Sequence, residues 1–166
     1  MKKKLTLMIA VVLAVTLFTG TVALAGNGNN APGMTQDRVQ YMDQIRDQIE
    51  EVLANRSQLA ALRGQLVELR EQTRDHLQEL KNNSDGVTDA QLEAAQSIAN
   101  QIKTAREALN ATNDNMRQYR QELRTARRSR NFEGMIAAYN GVISVQEQRI
   151  QLLQQLVALH EQAIAL

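Results

Sequence analysis

The segment Lys81-Asn82-Asn83-Ser84-Asp85-Gly86-Val87-Thr88 decides the predicted fold, because a long stretch of regularly spaced apolar residues runs away from it on either side. Asp85 and Gly86 are turn residues, and glycine readily adopts the backbone conformation that ends a helix. Thr88 with Gln91 three residues later matches a helix-starting capping box, which Val87 precedes as an apolar staple residue. We interpret the segment as the turn of a helical hairpin.

Helix one is predicted over residues 35–81, with Thr35 as its N-cap. Its apolar residues recur mostly three and four positions apart, which is typical of a coiled-coil seam. These seam residues are Met42, Ile45, Ile49, Val52, Leu59, Leu62, Leu66, Leu69, Leu77 and Leu80. A helix of this length would extend for about 70 Å at ~1.5 Å per residue.

Helix two is predicted over residues 88–129 and helix three over residues 132–165, with Asn131 as the N-cap of helix three. Helix three has the broadest apolar face of the three. Gly134 and Gly141 interrupt it near its start, and we expect the backbones to approach closely there. The predicted fold class is all-α: an elongated, antiparallel, coiled-coil-like three-helix bundle spanning residues 34–166.

The register of the hairpin follows from residue pairs whose numbers have a nearly constant sum, as a chain reversal requires. Apolar residues pair in this way, and so do four acids with four bases. The charged pairs are Asp43 with Arg128, Asp47 with Arg124, Glu51 with Arg120, and Glu68 with Lys103. Exposed ion pairs contribute only about 0.2–1 kcal/mol each, so they select orientation more than they stabilise. We therefore predict that helices one and two pack directly against each other.

The same register predicts the surroundings of Arg56 and the level at which helix three ends. Arg56 is expected beside Asn115 as a polar layer within the seam. Helix three is expected to end at the depth of Gln96, which would leave the hinge end as a protruding two-helix tip.

Residues 1–25 have the three parts of a secretory signal peptide. A basic start, Met1-Lys2-Lys3-Lys4, precedes an apolar run from Leu5 to Phe18, and Ala23-Leu24-Ala25 provides a small-residue cleavage site. The strongly apolar part is shorter than the ~20 residues of a spanning helix. A retained membrane anchor is the alternative that the sequence leaves open. With cleavage, residues 26–33 form a flexible linker and the protein is secreted or in the cell envelope, without membrane attachment.

The cysteine content and the net charge of the chain exclude several classes of protein. The chain has 0 cysteines, which excludes a disulfide framework and a bacterial lipid anchor on cysteine. Its 19 basic and 18 acidic residues give a formal charge of +1, and removing the three signal lysines changes that to −2. A nearly neutral mature chain gives no general electrostatic attraction to nucleic acid, and no nucleic-acid partner is expected.

No group of residues predicts a reaction, a cofactor or a metal. His76 and His160 are the two histidines of the chain, and the register separates them by about two helical turns, too far for a shared metal site. A calcium loop at the hinge fails because Lys81 and Leu92 would occupy the two positions that need carboxylates. We therefore expect a protein that is not an enzyme.

The end of helix two is rich in arginine. Acids on helix one are a sufficient explanation for most of this basic flank. The basic flank has more arginines than helix one has opposing acids. The candidate residues for contact with an anion or a partner are therefore Arg127, Arg128 and Arg130.

Residues 87–91 resemble the Leu-Thr-x-x-Gln motif of the Spy/CpxP-like periplasmic chaperones, with Val87 in place of leucine. The resemblance covers five residues that a capping box also requires, so the chain is not assigned to that family. The expected function is protein–protein interaction by an exported helical protein, chaperone-like in the cell envelope. The alternative is a structural or regulatory coiled coil for cell-wall remodelling enzymes.

The partner is not identified by the sequence. Contact is expected through the apolar face of helix three, the arginine-rich end or the hinge tip. The apolar face on helix three is also broad enough to pack against a second copy of the chain, so a homo-oligomer is a further alternative.

Overall fold

The computed structural model describes residues 36–82 and 87–166, which form three helices and no strand. Helix α1 is Gln36–Asn82, α2 is Asp89–Arg128 and α3 is Phe132–Ile164. The predicted all-α, three-helix bundle class is confirmed at this level. None of the described helices combines the length and hydropathy needed to cross a membrane. The predicted signal peptide, the linker, Thr35, Asp85 and Gly86 lie outside the described residues.

Side chains cap the starts of α2 and α3 as predicted. The Thr88 Oγ1 accepts from the Gln91 backbone N–H at 3.3 Å, and Gln91 Oε1 accepts from the Thr88 backbone N–H at 3.1 Å. Asn131 Oδ1 accepts from the Gly134 backbone N–H at 3.0 Å. Each cap satisfies backbone donors that have no partner inside the helix, which fixes where the helix begins.

Helix α3 is the centre of the bundle. More of its residues are buried than of α1 and α2 together, and Leu153 and Leu156 are only 1% and 0% exposed. Both α1 and α2 pack on α3, and within the described residues no Cα of α1 lies within 8 Å of a Cα of α2. The predicted direct seam between helices one and two is therefore wrong. The broad apolar face of α3 buries more surface by lying between the two other helices.

That arrangement also removes the predicted ion pairs. The three ion pairs among the described residues each join neighbours on one helix, namely Arg46 with Asp43, Arg74 with Asp75, and Arg117 with Asp114. None of the four predicted acid–base pairs is within 4 Å, because α3 holds the two helices apart. Residues of α1 and α2 nevertheless lie at the levels along the bundle axis that the predicted register gives them. The largest apolar cluster contains both Leu66 and Ala105, and Leu62 and Leu109 pack against it.

Contacts along α3 show how the helices run. Between α1 and α3 the residue numbers rise together, in the pairs Tyr41 with Glu133, Gln48 with Asn140, Val52 with Gln146, and Thr73 with His160. Between α2 and α3 the numbers run in opposite directions. A Cβ on Gly134 would lie 3.3 Å from that of Ala126, Gly141 lies against Tyr119, and Leu166 O accepts from Gln91 Nε2.

Contacts near the two ends of α3 show where it lies along α2. A Cβ built on Gly141 would overlap the ring of Tyr119, so the close neighbour of this glycine is a side chain rather than the expected backbone. At the other end, the 2.6 Å hydrogen bond from Gln91 to Leu166 shows that the chain extends past the depth of Gln96. The expected tip is therefore shorter than predicted by about one helical turn.

Candidate functional site

The gap between α1 and α2 leaves predicted seam residues uncovered. Since α3 covers one side of each helix, Met42, Ile49 and Leu77 of the predicted seam on α1 remain exposed to solvent. The large exposed apolar residues on these two helices are Val39, Met42, Ile49, Leu53, Val67, Leu77 and Leu92. Exposed apolar groups that cluster, rather than stand singly, mark interaction surfaces.

The clearest such cluster is the tip cavity, between the last turns of α1 and the first turns of α2. Its volume is about 300 Å³. The lining residues are Leu77, Leu80, Lys81, Val87, Gln91, Leu92 and Ala95. Leu77 is 42% exposed and Leu92 is 58% exposed, so two large aliphatic side chains are accessible at one site.

The predicted hinge residues position this cavity. Val87 is half-buried and lines it, while Thr88 fixes the start of α2 through the capping box. Gln91 has two roles that the sequence did not indicate together. Its Oε1 closes the capping box and its Nε2 donates to Leu166 O at 2.6 Å, which ties the start of α2 to the residues that follow α3.

The three arginines predicted as an anion or partner contact have different surroundings. Arg127 donates from Nη2 to the Tyr139 hydroxyl, and its guanidinium lies 5.7 Å from the centre of that ring. Arg128 lines a wide, polar cavity of about 620 Å³ on α2. Arg130 has a φ of 54° in the turn between α2 and α3. Arg127 is therefore already engaged by an aromatic side chain, in a geometry favourable for a cation over a ring.

A second set of arginines lies in the middle of the gap, and the sequence reasoning missed it. Arg56 is not in a layer with Asn115 but lines a small cleft with Arg63, Arg120 and Arg149. Burial lowers the pKa of Arg149 first, and the nearby charges of Arg63 and Arg120 lower it further. The seven-residue spacing of arginines at 56, 63 and 70 is the signal in the sequence that indicates a common face.

One histidine is part of the core. His160 is 6% exposed and its Nδ1 lies 3.0 Å from Thr73 Oγ1. Its pKa is lowered by burial, then by the charges of Arg70 and Arg106. Across the described residues, no group of three or more His, Cys, Asp or Glu side chains could hold a metal ion.

Comparison of the chain with protein-family models, with curated proteins and with solved structures found no match. The functional interpretation therefore rests on the two features of the gap: an apolar cavity at the tip and a basic cleft in the middle.

Proposed function

We propose that this protein is an exported, non-enzymatic, elongated antiparallel three-helix bundle that binds other proteins through the tip cavity in a chaperone-like way. The observation that carries the proposal is the pair of accessible aliphatic side chains, Leu77 and Leu92, at the mouth of an apolar cavity. The apolar face of α3 is buried inside the bundle and is not free to bind a partner, which corrects the expectation of contact through it.

The chemistry of the cavity defines the occupant. Its lining is aliphatic apart from Gln91 and Lys81, so it suits an apolar side chain carried on a segment with a nearby carboxylate. Burying one large aliphatic side chain is worth about 1.5–3 kcal/mol. A single contact of that size gives weak binding and fast release, as transient capture of partly folded proteins requires. A permanent complex would need a larger interface.

The alternative is a structural or regulatory coiled coil for cell-wall remodelling enzymes. The length of α1 supports it, because 47 residues of helix span about 70 Å, which suits a spacer. A spacer of this kind would have one stable partner in the cell envelope, whereas a chaperone-like protein would bind many proteins briefly.

The experiment is an aggregation assay with the purified protein and a reporter protein that aggregates on heating. The variant Leu77→Ser/Leu92→Ser removes both accessible aliphatic groups. Val67→Ser is the matched control, since Val67 is 56% exposed and does not line the tip cavity. We expect the wild type and the control to suppress light scattering and the double variant to lose most of that suppression.

Absence of suppression by the wild type would exclude chaperone-like action. Equal suppression by the double variant would exclude the tip cavity as the site. A single protein recovered at constant stoichiometry from the cell envelope would support the spacer instead, and N-terminal sequencing of the exported form tests cleavage after Ala25.

A further inference from the structure

Four arginines from three helices surround one cleft in the middle of the bundle. Arg56 and Arg63 extend from α1, Arg120 from α2 and Arg149 from α3. The cleft has a volume of about 130 Å³, and its other lining residues are Leu59, Met116 and Gln146. A cavity needs only about 10–15 Å³ of such space to hold one water, so this cleft has room for several waters or for one small oxyanion.

The cleft has no carboxylate to neutralise these charges. None of its lining residues is acidic, and none of the four arginines takes part in an ion pair among the described residues. Arg46, Arg74 and Arg117 show the contrast, because each lies within 3.4 Å of an aspartate on its own helix. Like charges brought together without a counter-ion repel one another, and the effect is greatest at Arg149, the one member that is partly buried.

Arg149 is the member on which the cleft depends. It projects from α3 at the base of the gap, and its Nε is buried without a hydrogen-bond partner among the described residues. Gln146, one turn earlier, is 4% exposed and is held by a hydrogen bond from its Nε2 to Val52 O at 3.3 Å. Because this Nε is buried, an anion in the cleft would meet Arg149 through its terminal Nη groups, which are not among the buried atoms without a partner.

The electrostatics agree with the geometry. Burial lowers the pKa of Arg149, and the two charged groups that lower it further, Arg63 and Arg120, are both basic. Further along the gap, burial and then Arg106 lower the pKa of Arg70. Binding of an anion would relieve this repulsion, because an opposite charge favours the charged form of each guanidinium.

We propose that this cleft binds a phosphate group, held by the guanidinium groups of Arg56, Arg63, Arg120 and Arg149. Guanidinium is the side chain best matched to tetrahedral oxyanions, since its parallel N–H groups donate to two oxygens at once. The site is separate from the tip cavity, because Arg63 and Leu77 are about 20 Å apart along α1 at ~1.5 Å per residue. The phosphate can be inorganic or the monoester of a small molecule.

The test is a titration of the purified protein with inorganic phosphate and, in a parallel arm, with glycerol 3-phosphate, at constant ionic strength maintained with sodium chloride. Isothermal calorimetry and the thermal midpoint report binding, since a ligand that binds only the folded state raises Tm as its concentration increases. We expect saturable binding of at least one of the two. Tighter binding of the ester identifies an esterified ligand, and tighter binding of phosphate identifies the free ion.

Three variants make the result specific. Arg149→Gln is expected to weaken binding by about tenfold or more, and Arg149→Lys by less, since it keeps the charge but lacks the fork of two donors. Arg63→Gln, at an exposed position, is expected to weaken binding without affecting folding. Arg74→Gln is the matched control, because Arg74 pairs with Asp75 outside the cleft, and it should leave binding unchanged.

A second readout separates a ligand site from a structural role. Without phosphate, Arg149→Gln should be at least as stable as the wild type, because it removes a partly buried charge among like charges. With saturating phosphate, the wild type should become the more stable of the two. The proposal is overturned by linear, non-saturating heats in both arms, or by equal losses of binding in Arg149→Gln and Arg74→Gln.

Discussion

Thr73 Oγ1 lies 3.0 Å from His160 Nδ1 and joins α1 to α3 across the buried interior of the bundle. The hydroxyl of Thr73 donates to Leu69 O at 2.7 Å, so its oxygen accepts from the Nδ1–H of a neutral imidazole. The other ring nitrogen, Nε2, is buried and has no hydrogen-bond partner among the described residues. An imidazolium would donate from Nδ1 in the same way, so it is burial and the charges of Arg70 and Arg106, rather than this contact, that favour the neutral ring.

The lowered pKa of His160 predicts that stability falls on acidification. Burial and the charges of Arg70 and Arg106 lower the pKa of His160 below 6.5 in the folded protein. As the pH falls below about 6.5, the unfolded chain takes up a proton that the folded chain does not, so the free energy of unfolding decreases until the folded pKa is passed. Above that window the histidine contributes no pH dependence. Thermal midpoints measured from about pH 7.5 to pH 5 should show the decrease.

The control for this pH effect is the second histidine. His160→Gln should flatten the pH dependence in that window, whereas His76→Gln should retain it. A slope that persists in His160→Gln would contradict the assignment.

Two glycines should respond in opposite directions to the same substitution. Gly141→Ala places a Cβ into the ring of Tyr119 and should destabilise the protein by about 1–3 kcal/mol through overpacking. Gly64→Ala meets nothing within 4 Å in the interior of α1 and should stabilise by about 0.5–1 kcal/mol through helix propensity. Urea denaturation measures both. In a Tyr119→Ala background the cost of Gly141→Ala should largely disappear, and persistence of the full cost would argue against the overlap.

The capping box at the start of α2 should be worth about 1 kcal/mol. Thr88→Ala removes the hydroxyl that accepts from the Gln91 backbone N–H and should lower the free energy of unfolding by roughly 0.5–2 kcal/mol. Thr104→Ala is the comparison, since Thr104 is exposed within α2 and bonds to the Asn100 carbonyl of its own helix. That change should be neutral or slightly stabilising because alanine has the higher helix propensity. Equal losses in the two variants would show that the cap contributes nothing.

The position of the core can be tested with leucines. Leu156 is 0% exposed on α3, and Leu156→Ala should destabilise by about 2–5 kcal/mol. Leu53 on α1 is 55% exposed, and Leu53→Ala should change stability by about 0.5 kcal/mol or less. Chemical denaturation of the two variants compares a core position on α3 with an exposed position on α1, and equal losses would contradict the burial of Leu156.

The features that local chemistry determines could be predicted from the sequence. The caps Thr88, Gln91 and Asn131 could be predicted because capping requires only the backbone at the start of the same helix. Gly141 predicted that another group packs closely against α3, although the sequence did not identify that group as Tyr119. The register could also be predicted, since Leu66 and Ala105 do share one apolar cluster.

The lateral arrangement of the helices could not be predicted in the same way. A constant sum of residue numbers establishes that two residues lie at the same depth along the bundle, but not that they are in contact. Asp47 and Arg124 have the required sum, yet α3 lies between their helices. The cleft at Arg149 was missed for a related reason. It combines side chains from three helices, and only the spacing of Arg56 and Arg63 is visible within one of them.

The central position of α3 has a consequence for how the chain folds. It is the last of the three helices to leave the ribosome, and both other helices pack on it rather than on each other. A nascent chain that ends before Phe132 would have two long amphipathic helices and no shared core between them. We expect such a chain to lack a cooperative unfolding transition, so that assembly of the bundle waits for completion of its C-terminal helix.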